Sequence, residues 1–215
     1  MNLFIDQTDT ASPDTFQFER ILQARGFSLV AGVDEVGRGP LAGPVVAACV
    51  ILPPRCDHLP FVDSKALTAK RRRDLVRLLD DIHASVGIGE VSPARIDKIN
   101  ILQASLLAMK RAVEDLCEQG TEPDFLLVDG RFNVPLGTSQ QPLIKGDARS
   151  ASIGAASICA KVHRDELMKR FHEKYPLYNL GQNKGYPTRE HRQALKDHGP
   201  TPIHRFSFKG VKPDD

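Results

Sequence analysis

The chain of 215 residues is 41% hydrophobic and 26% charged, with a formal net charge of +2 at pH 7. These proportions are typical of a globular protein and exclude global disorder or a fibrous repeat. The longest charge-free run, residues 39–54, contains an apolar stretch only about half as long as a membrane helix requires.

The N-terminus carries Asp6 and Asp9 and lacks the basic start of a signal peptide. The four cysteines form no CxxC pair, which argues against a structural zinc site. We therefore expect a cytoplasmic protein without a membrane segment, whose thiols stay reduced.

Hydrophobic periodicity predicts alternating helices and strands along the chain. In chain order they are a helix (residues 13–25), two strands (27–33 and 45–52), a helix (68–81), a strand (85–91), a helix (101–117), two strands (125–128 and 142–144) and two helices (151–175 and 188–198). Ser92 and Pro93 are a typical helix start, placed ahead of the run with helical spacing at residues 101–117, and Thr188 caps the last helix. Residues 181–187 are expected to form a loop.

The order of these elements predicts one α/β domain. The first two strands are close enough in sequence to form a hairpin, whereas the later strands alternate with helices. We expect a mixed central sheet flanked by helices, with a basic, helical extension at the C-terminus. The boundaries we assign are an N-terminal extension (1–26), the main domain (27–175) and a C-terminal segment packed on it (176–215).

Charge is distributed unevenly along the chain. Residues 145–215 contain 14 Lys and Arg against 8 Asp and Glu, whereas the rest of the chain contains 15 against 19. A basic C-terminal third suits a polyanionic partner. Chance asymmetry on a solvated surface explains the same numbers, so charge alone does not decide between them.

Acidic residues follow three of the predicted strands. Asp34 and Glu35 come after the first strand, Asp129 after the fourth and Asp147 just after the fifth. Ligand sites of open α/β sheets lie at the carboxyl ends of strands, so these side chains are expected to converge. Converging carboxylates favour Mg²⁺ or Mn²⁺, and two such ions about 4 Å apart are a common apparatus for phosphodiester hydrolysis.

Each of these signals also has a structural explanation. Asp129-Gly130 and Gly146-Asp147 are common turn dipeptides, which leaves Asp34-Glu35 as the pair that is hardest to explain without a function. The glycine-rich residues 37–43 resemble a dinucleotide-binding turn only superficially, because a strand follows them where a helix should begin. They can bring backbone close to a sugar or phosphate, or simply connect a hairpin.

Basic and aromatic residues offer weaker candidates. Residues 71–73 are all Arg and are interpreted as a solvated helix face, whereas Lys65 is a better phosphate contact. Tyr186 lies in a polar loop from which a ring can stack on a base or a sugar. His191, His198 and His204 lack the spacing of metal ligands and are interpreted as surface or phosphate-proximal residues.

An ordered set of motifs covering residues 27–212 resembles bacterial type 2 ribonuclease H, the ribonuclease HII family. The motifs are GVDEVGRGPLAGPVVAACVIL, DSKALT, LLVDGR, KGDARS, AASICAKVHRD, KGYPT, HG and HRFSF. The resemblance implies a ribonuclease H-like fold. It also implies an endonuclease that cuts RNA–DNA hybrids and single ribonucleotides in duplex DNA, on the 5′ side of the ribonucleotide, leaving a 3′-hydroxyl and a 5′-phosphate.

The resemblance also implies roles for individual residues. The catalytic, metal-binding acids would be Asp34, Glu35, Asp129 and Asp147. Residues that bind the substrate would be Gly37, Arg38 and Gly39 at the 2′-hydroxyl, Tyr186 at the deoxyribose, and Ser64, Lys65 and Lys145 near phosphates. The cofactor would be Mg²⁺ or Mn²⁺, used in pairs, and the enzyme would act in replication and in ribonucleotide excision repair. We expect a monomer and leave open whether a replication or repair protein binds it.

Two other functions compete with this hypothesis. A non-catalytic nucleic-acid-binding module would explain the basic C-terminal third but not the acids. A glycosidase would use two carboxylates, but its site is usually rich in aromatic residues, and this chain has only 6% of them and no Trp.

Overall fold

The computed structural model describes residues 14–56, 60–61 and 67–212. Ser64 and Lys65, for which we predicted phosphate contacts, lie outside the described residues. The strands are β1 (Val30–Val36), β2 (Val45–Ile51), β3 (Ser85–Val91), β4 (Phe125–Asp129) and β5 (Ser139–Leu143). The helices are α1 (Gln17–Ala24), α2 (Ala69–Asp81), α3 (Pro93–Glu118), α4 (Ala151–Lys174), α5 (Leu180–Asn183) and α6 (Arg189–His198).

The five strands form one mixed sheet in the order β3-β2-β1-β4-β5. The pairs β1–β2 and β2–β3 are antiparallel, whereas β1–β4 and β4–β5 are parallel. One apolar cluster lies between the sheet and α3, and another lies between the sheet and helices α2 and α4. This arrangement confirms the predicted α/β class, the mixed sheet and the first hairpin. Among the described helices, none is both long and apolar enough to cross a bilayer.

Four helices begin at a side chain that caps their first turn. Each cap residue has extended backbone, and its hydroxyl accepts a hydrogen bond from a backbone N–H three residues later. The caps are Thr68 on α2, Ser92 on α3, Ser150 on α4 and Thr188 on α6. The starts predicted at Ser92 and Thr188 are therefore confirmed.

The first strand lies three residues later than its apolar pattern predicts. The N–H groups of Ser28 and Leu29 donate to the carboxylate of Asp124, at 2.7 and 3.1 Å, so these two residues are bound outside the sheet. Pairing with β4 begins only at Val30. The strand then continues through Asp34 and Glu35, because the antiparallel ladder with β2 uses backbone groups alone. Our prediction that these acids follow the strand is wrong: they belong to it.

Two further elements differ from the prediction. The edge strand β5 begins at Ser139 rather than at residue 142, because its polar sequence SQQPL carries no apolar alternation. Proline is tolerated in it because it is an edge strand. The predicted loop at residues 181–187 contains most of the single-turn helix α5. Such a short helix has too few residues for a detectable period.

The N-terminal segment packs onto the start of α4. Leu22 of α1 is buried, and the carbonyl of Thr15 accepts the N–H of Ala151 at 2.8 Å. Oε1 of Glu19 accepts bonds from the hydroxyls of Ser150 and Ser152, both at 2.6 Å, and Ser152 N–H donates to it at 3.1 Å. Burial raises the pKa of Glu19, and these hydrogen bonds oppose that rise. Residues before the first strand thus complete the N-terminus of α4.

We predict that Glu19→Ala lowers the free energy of unfolding by about 1–3 kcal/mol, because it leaves buried hydroxyl and amide donors without their acceptor. Urea denaturation followed by circular dichroism measures the change. Glu166→Ala is the matched control, since Glu166 is exposed and pairs with the exposed Lys169, so its loss should change stability by less than about 0.5 kcal/mol. Equal midpoints for the two variants would contradict the capping role.

Candidate active site

The parallel strands bring distant acids to one end of the sheet. Register aligns Val33 of β1 with Val128 of β4, so the next residues, Asp34 and Asp129, are neighbours at the carboxyl ends of these strands. On the other side Asp129 aligns with Leu143 of β5, from which the chain continues to residues 145–147. The carboxyl ends of three adjacent strands therefore lead into the segments that carry all the predicted acids.

Asp34 and Glu35 face opposite sides of the sheet, because consecutive residues of a strand alternate. Asp34 is only 5% exposed and receives a hydrogen bond from Ser157 of α4. Its Oδ1 also accepts the N–H of Glu35 at 2.7 Å. A cleft of about 430 Å³ opens here, which we name the acidic cleft. It is lined by Asp34, Glu35, Val36, Arg72, Asp129, Ser157, Lys161 and Tyr186.

A second, smaller cleft lies on the α3 side of the same sheet end. It has a volume of about 200 Å³ and combines apolar residues of α3 with polar residues of the strand ends. Its lining residues are Glu35, Arg38, Leu102, Ser105, Leu106, Met109, Asp129, Gly130, Arg131 and Phe132. Glu35 and Asp129 line both clefts, so the two together form a groove across the carboxyl ends of β1 and β4.

The acids of the acidic cleft repel one another. Burial raises the pKa of Asp34 well above its ordinary value, and the charges of Glu35 and Asp129 raise it further. Burial also raises the pKa of Glu35, with a contribution from Asp129. The guanidinium of Arg38 opposes that rise, since its Nη1 lies 3.2 Å from Oε1 of Glu35. Three strand-end carboxylates thus share one electrostatic environment.

Asp147 and Lys145 lie beside this group rather than in the cleft. Asp147 is buried in a 3-10 turn formed by Gly146–Ala148, and it does not belong to the linings of the two clefts above. The turn is attached to Asp129, whose Oδ1 accepts the N–H of Gly146 at 2.7 Å. Lys145 is exposed and has left-handed backbone, with a φ of 55°.

The donor set of the acidic cleft fits a hard divalent cation. Over the described ranges, no three His, Cys, Asp or Glu side chains form a ready-made metal site. Mg²⁺, however, is commonly held by one or two carboxylates together with water and substrate phosphates, rather than by a protein cage. A cation among Asp34, Glu35 and Asp129 would also lower the pKa values that burial and mutual repulsion raise. These carboxylates therefore suit an ion that shares its coordination with the substrate.

The glycine-rich segment lies beside Tyr186. We name residues 37–44 the glycine loop. Gly37 is buried in it, while Arg38 and Gly39 are exposed. A methyl group placed on Gly39 would lie 3.7 Å from Cε1 of Tyr186, whose side chain is exposed. The structure thus brings two of the predicted substrate-binding segments together next to the acids.

Our sequence interpretation missed three residues that line the acidic cleft. Arg72 was interpreted as part of a solvated face, but it is half-buried, and its Nη1 donates to the carbonyl of Leu67 at 2.6 Å. Its spacing from the buried residues at 75 and 79 places it on the inner face of α2, a signal present in the sequence. Ser157 and Lys161 are four residues apart on α4 and so share the face that meets the cleft.

Two of the three histidines are not at the surface, so our interpretation of them is wrong. His191 and His204 are fully buried, and their Nε2 atoms are 3.1 Å apart. Thr201 N–H donates to Nδ1 of His204 at 2.9 Å, which leaves the proton of that ring on Nε2. His191 then holds its proton on Nδ1, where the carbonyl of Tyr186 accepts it at 2.9 Å. Two neutral rings therefore join the loop of Tyr186 to the segment before Arg205.

Comparison with known proteins matches this chain to one family. The family model described as "Ribonuclease HII" matches residues 31–211. Ribonuclease HII of Desulfotalea psychrophila is 58% identical over 93% of this chain and 88% of its own length. Ribonuclease HII of Bacillus subtilis is 50% identical over 91% of this chain and 75% of its own length. The crystal structure of ribonuclease H2 from Pyrococcus horikoshii superposes with a TM-score of 0.66 at 27% identity, covering 86% of this chain and 95% of the other.

The histidine pair predicts an acid-dependent loss of stability. Burial, together with the charge that His191 can carry, lowers the pKa of His204 from 6.5 to about 4. Between these values the unfolded chain binds a proton that the folded chain does not. The contribution of His204 to the free energy of unfolding is therefore fully present above pH 6.5 and is lost as the pH falls toward 4. The full loss from His204 is about 3 kcal/mol. Urea denaturation at pH 7, 6, 5 and 4 measures it.

Replacement of the buried ring separates this effect from other acid titrations. His204→Asn removes the titrating group and should flatten the decline between pH 6.5 and 4, although it lowers stability at pH 7. His198→Asn, at an exposed position of α6, should keep the decline of the unaltered chain. An identical pH dependence in both variants would mean that His204 is not the group responsible.

Proposed function

The chain belongs to the ribonuclease HII family and is a ribonuclease H, an endonuclease for RNA in RNA–DNA hybrids, and we propose the bonds that it cuts. These are the phosphodiester bonds on the 5′ side of ribonucleotides, both in hybrids and where a single ribonucleotide is embedded in duplex DNA. The products would carry a 3′-hydroxyl and a 5′-phosphate. Such an activity suits a role in replication and in ribonucleotide excision repair.

The observation that carries the proposal is the acidic cleft. Three carboxylates at strand ends face a cleft whose other walls include Arg72, Lys161 and Tyr186. Two cationic side chains suit a phosphate backbone, and an exposed tyrosine ring suits stacking on a base or sugar. The acids and the polyanion contacts thus lie close enough for one substrate to meet both.

Ribonucleases H depend on divalent metal, and we assign its binding to Asp34, Glu35, Asp129 and Asp147. A pair of Mg²⁺ or Mn²⁺ ions bound there would activate the attacking water and stabilise the leaving oxygen. The donor chemistry supports this assignment, since all four side chains offer carboxylate oxygens and the repulsion among three of them favours a cation. Asp147 would reach the site through the turn that is bonded to Asp129.

The protein's own groups would orient this set. Ser157 and the N–H of Glu35 both donate to Asp34 and fix its carboxylate in the acidic cleft. Arg38 holds Glu35 by a hydrogen bond of 3.2 Å. Burial of Asp34 on the α4 side of the sheet would keep bulk water away from one side of the scissile bond and strengthen electrostatic contacts with it.

Recognition of the ribonucleotide is assigned to the glycine loop. We propose that Gly37, Arg38 and Gly39 contact the 2′-hydroxyl, the group that distinguishes RNA from DNA. Tyr186 would stack on the neighbouring deoxyribose, since the residue is 44% exposed and its ring lies beside Gly39. Ser64, Lys65 and Lys145 would contact phosphates farther along the backbone. Only Lys145 is among the described residues, and its exposure suits that role.

The decisive experiment uses a duplex with one ribonucleotide and maps the cut. The unaltered chain should cut on its 5′ side with Mg²⁺ or Mn²⁺ and should stop in EDTA. Asp34→Asn and Asp129→Asn should each lower kcat by more than about 100-fold, because each removes a charge from the reacting centre. Both should still bind the duplex in an electrophoretic mobility assay.

The matched control is Asp81→Asn, which changes an exposed carboxyl at the end of α2. It should cut at the rate of the unaltered chain. Cutting by Asp34→Asn at that same rate would contradict the assignment of the acids. Cleavage on the 3′ side, or products with a 3′-phosphate, would contradict the proposed reaction while leaving the family intact.

A further inference from the structure

Two arginines lie fully buried behind the glycine loop. Arg164 of α4 and Arg205 of the C-terminal segment have no exposed surface. Burial of a guanidinium is costly unless its donors are bonded. Both side chains use the same kind of acceptor, the backbone carbonyl oxygens of the glycine loop and of its neighbours. These hydrogen bonds offset the cost of burying the two guanidinium groups. They also fix one short piece of backbone.

Arg205 binds both ends of the glycine loop. Its Nη2 donates to the carbonyl of Gly37 at 2.5 Å and its Nη1 to that of Arg38 at 2.9 Å. Nε and Nη2 also donate to the carbonyl of Gly43, at 3.1 and 2.9 Å. Its own N–H donates to Leu41 O at 2.8 Å. A single residue therefore ties the tripeptide that we assign to ribose recognition to the far end of the same loop.

These bonds determine where the N–H groups of the tripeptide point. In a planar trans peptide the C=O and N–H bonds are antiparallel. Because the carbonyls of Gly37 and Arg38 point inward to Arg205, the N–H groups of Arg38 and Gly39 point outward. Bonding to a cation also polarises each peptide unit, which makes its N–H a stronger donor. The buried positive charge of Arg205 thus orients and polarises these two N–H groups toward an acceptor at the surface.

Arg164 connects the glycine loop to the segment of Tyr186. Its Nη2 and Nε donate to the carbonyls of Ala42 and Pro44, both at 3.1 Å, and its Nη1 donates to Lys184 O at 3.0 Å. Leu41 N–H also donates to Gly185 O at 2.8 Å. These contacts fix the distance between the loop and the exposed tyrosine.

The sequence of the loop is adapted to Arg164. Gly37 has a φ of +96°, and a Cβ there would lie 2.3 Å from Nε of Arg164. Only glycine combines this backbone with that contact. Burial lowers the pKa of Arg164 to about 10, and burial together with the charge of Arg164 lowers that of Arg205 to about 9. Both guanidinium groups stay protonated at neutral pH.

We propose that Arg164 and Arg205 are positioning residues for ribonucleotide recognition: by binding the inward carbonyls, they aim the N–H groups of Arg38 and Gly39 at the 2′-hydroxyl and hold them in register with Tyr186. This inference rests on the proposed function. It adds that preference for the ribonucleotide depends on two residues that do not touch the substrate.

The test measures that preference by binding, without the chemical step. In the Asp34→Asn background, fluorescence anisotropy gives the Kd for a duplex with one ribonucleotide and for the all-deoxy duplex of the same sequence. The Kd ratio reports the 2′-hydroxyl contact. Arg164→Lys and Arg205→Lys keep the charge but lose the forked donors. We expect each to lower the ribonucleotide preference about 10-fold or more, and to leave binding of the all-deoxy duplex within about twofold.

A control separates positioning from a general loss of stability. Leu116→Ala, in the core between α3 and the sheet, destabilises the fold by about 2–5 kcal/mol and touches neither segment. It should keep the full Kd ratio in the same background. Thermal unfolding shows which Lys variants are folded at the assay temperature. An unchanged Kd ratio in a folded Arg164→Lys or Arg205→Lys protein would overturn the proposal for that residue.

The experiment also distinguishes this inference from the proposed function. Failure of the function would appear in the unaltered chain, as an absence of cleavage at the ribonucleotide. Equal affinity of the Asp34→Asn protein for both duplexes would overturn the inference alone if the unaltered chain still cuts. A loss of preference in the Lys variants, together with normal cleavage by the unaltered chain, supports both.

Discussion

The candidate site depends on one constraint of the sheet, which holds carboxylates close together at the ends of parallel strands although they repel one another. Asp34 and Asp129 are neighbours because β1 and β4 run in the same direction and in a register that aligns the preceding valines. The position of each acid is thus a property of the sheet, and the sheet is held by apolar clusters on both faces. The burial that stabilises β1 also raises the pKa of its acids. The fold itself therefore creates a site that favours a cation.

Two buried positive charges lie on the side of the glycine loop that faces away from the acidic cleft. Arg164 and Arg205 lie behind its backbone, while Arg38 and the acidic cleft lie in front of it. The backbone of the glycine loop separates the two sets of charges. Its inward carbonyls accept hydrogen bonds from the buried arginines, and the N–H groups of the same peptide units point the other way. Buried guanidinium groups would be a liability elsewhere in the core. Here they bind carbonyls that no regular ladder satisfies, which explains how an irregular loop can bury its backbone polar groups.

Apolar periodicity predicted the scaffold, but it could not place polar residues that serve internal contacts. The strand at residues 85–91 and the helix that starts at Ser92 were predicted correctly, because alternation and capping are local signals. The first strand was misplaced because Asp124, almost 100 residues away, binds the start of the apolar run. Likewise, local sequence shows that the residue at 204 is a histidine, but not that a second ring lies 3.1 Å from it.

Some residues of the site could likewise be predicted from the sequence, and others could not. Acids at strand ends were predictable, since parallel strands share their carboxyl ends. Arg72 was not recognised, although its spacing from buried leucines was visible, because a run of three arginines is typical of a solvated surface. The roles of Arg164 and Arg205 could not be predicted from charge at all. A charged residue in a helix or loop is usually exposed, and only the tertiary structure shows carbonyls that turn toward it.

Directional polar contacts accompany the packing of residues 199–211 against the rest of the described chain. The apolar cluster that joins this segment to the main domain is small, and apolar surfaces alone allow several similar packings. Hydrogen bonds are directional, and a slip of one residue would leave buried donors unbonded, at a cost of about 1–3 kcal/mol each. Asp97 binds the N–H groups of residues 206 and 207, His204 binds His191, and the two arginines bind the glycine loop. Because these contacts surround Tyr186 and the loop beside it, the same network that selects one packing of the segment also sets the geometry at the edge of the acidic cleft.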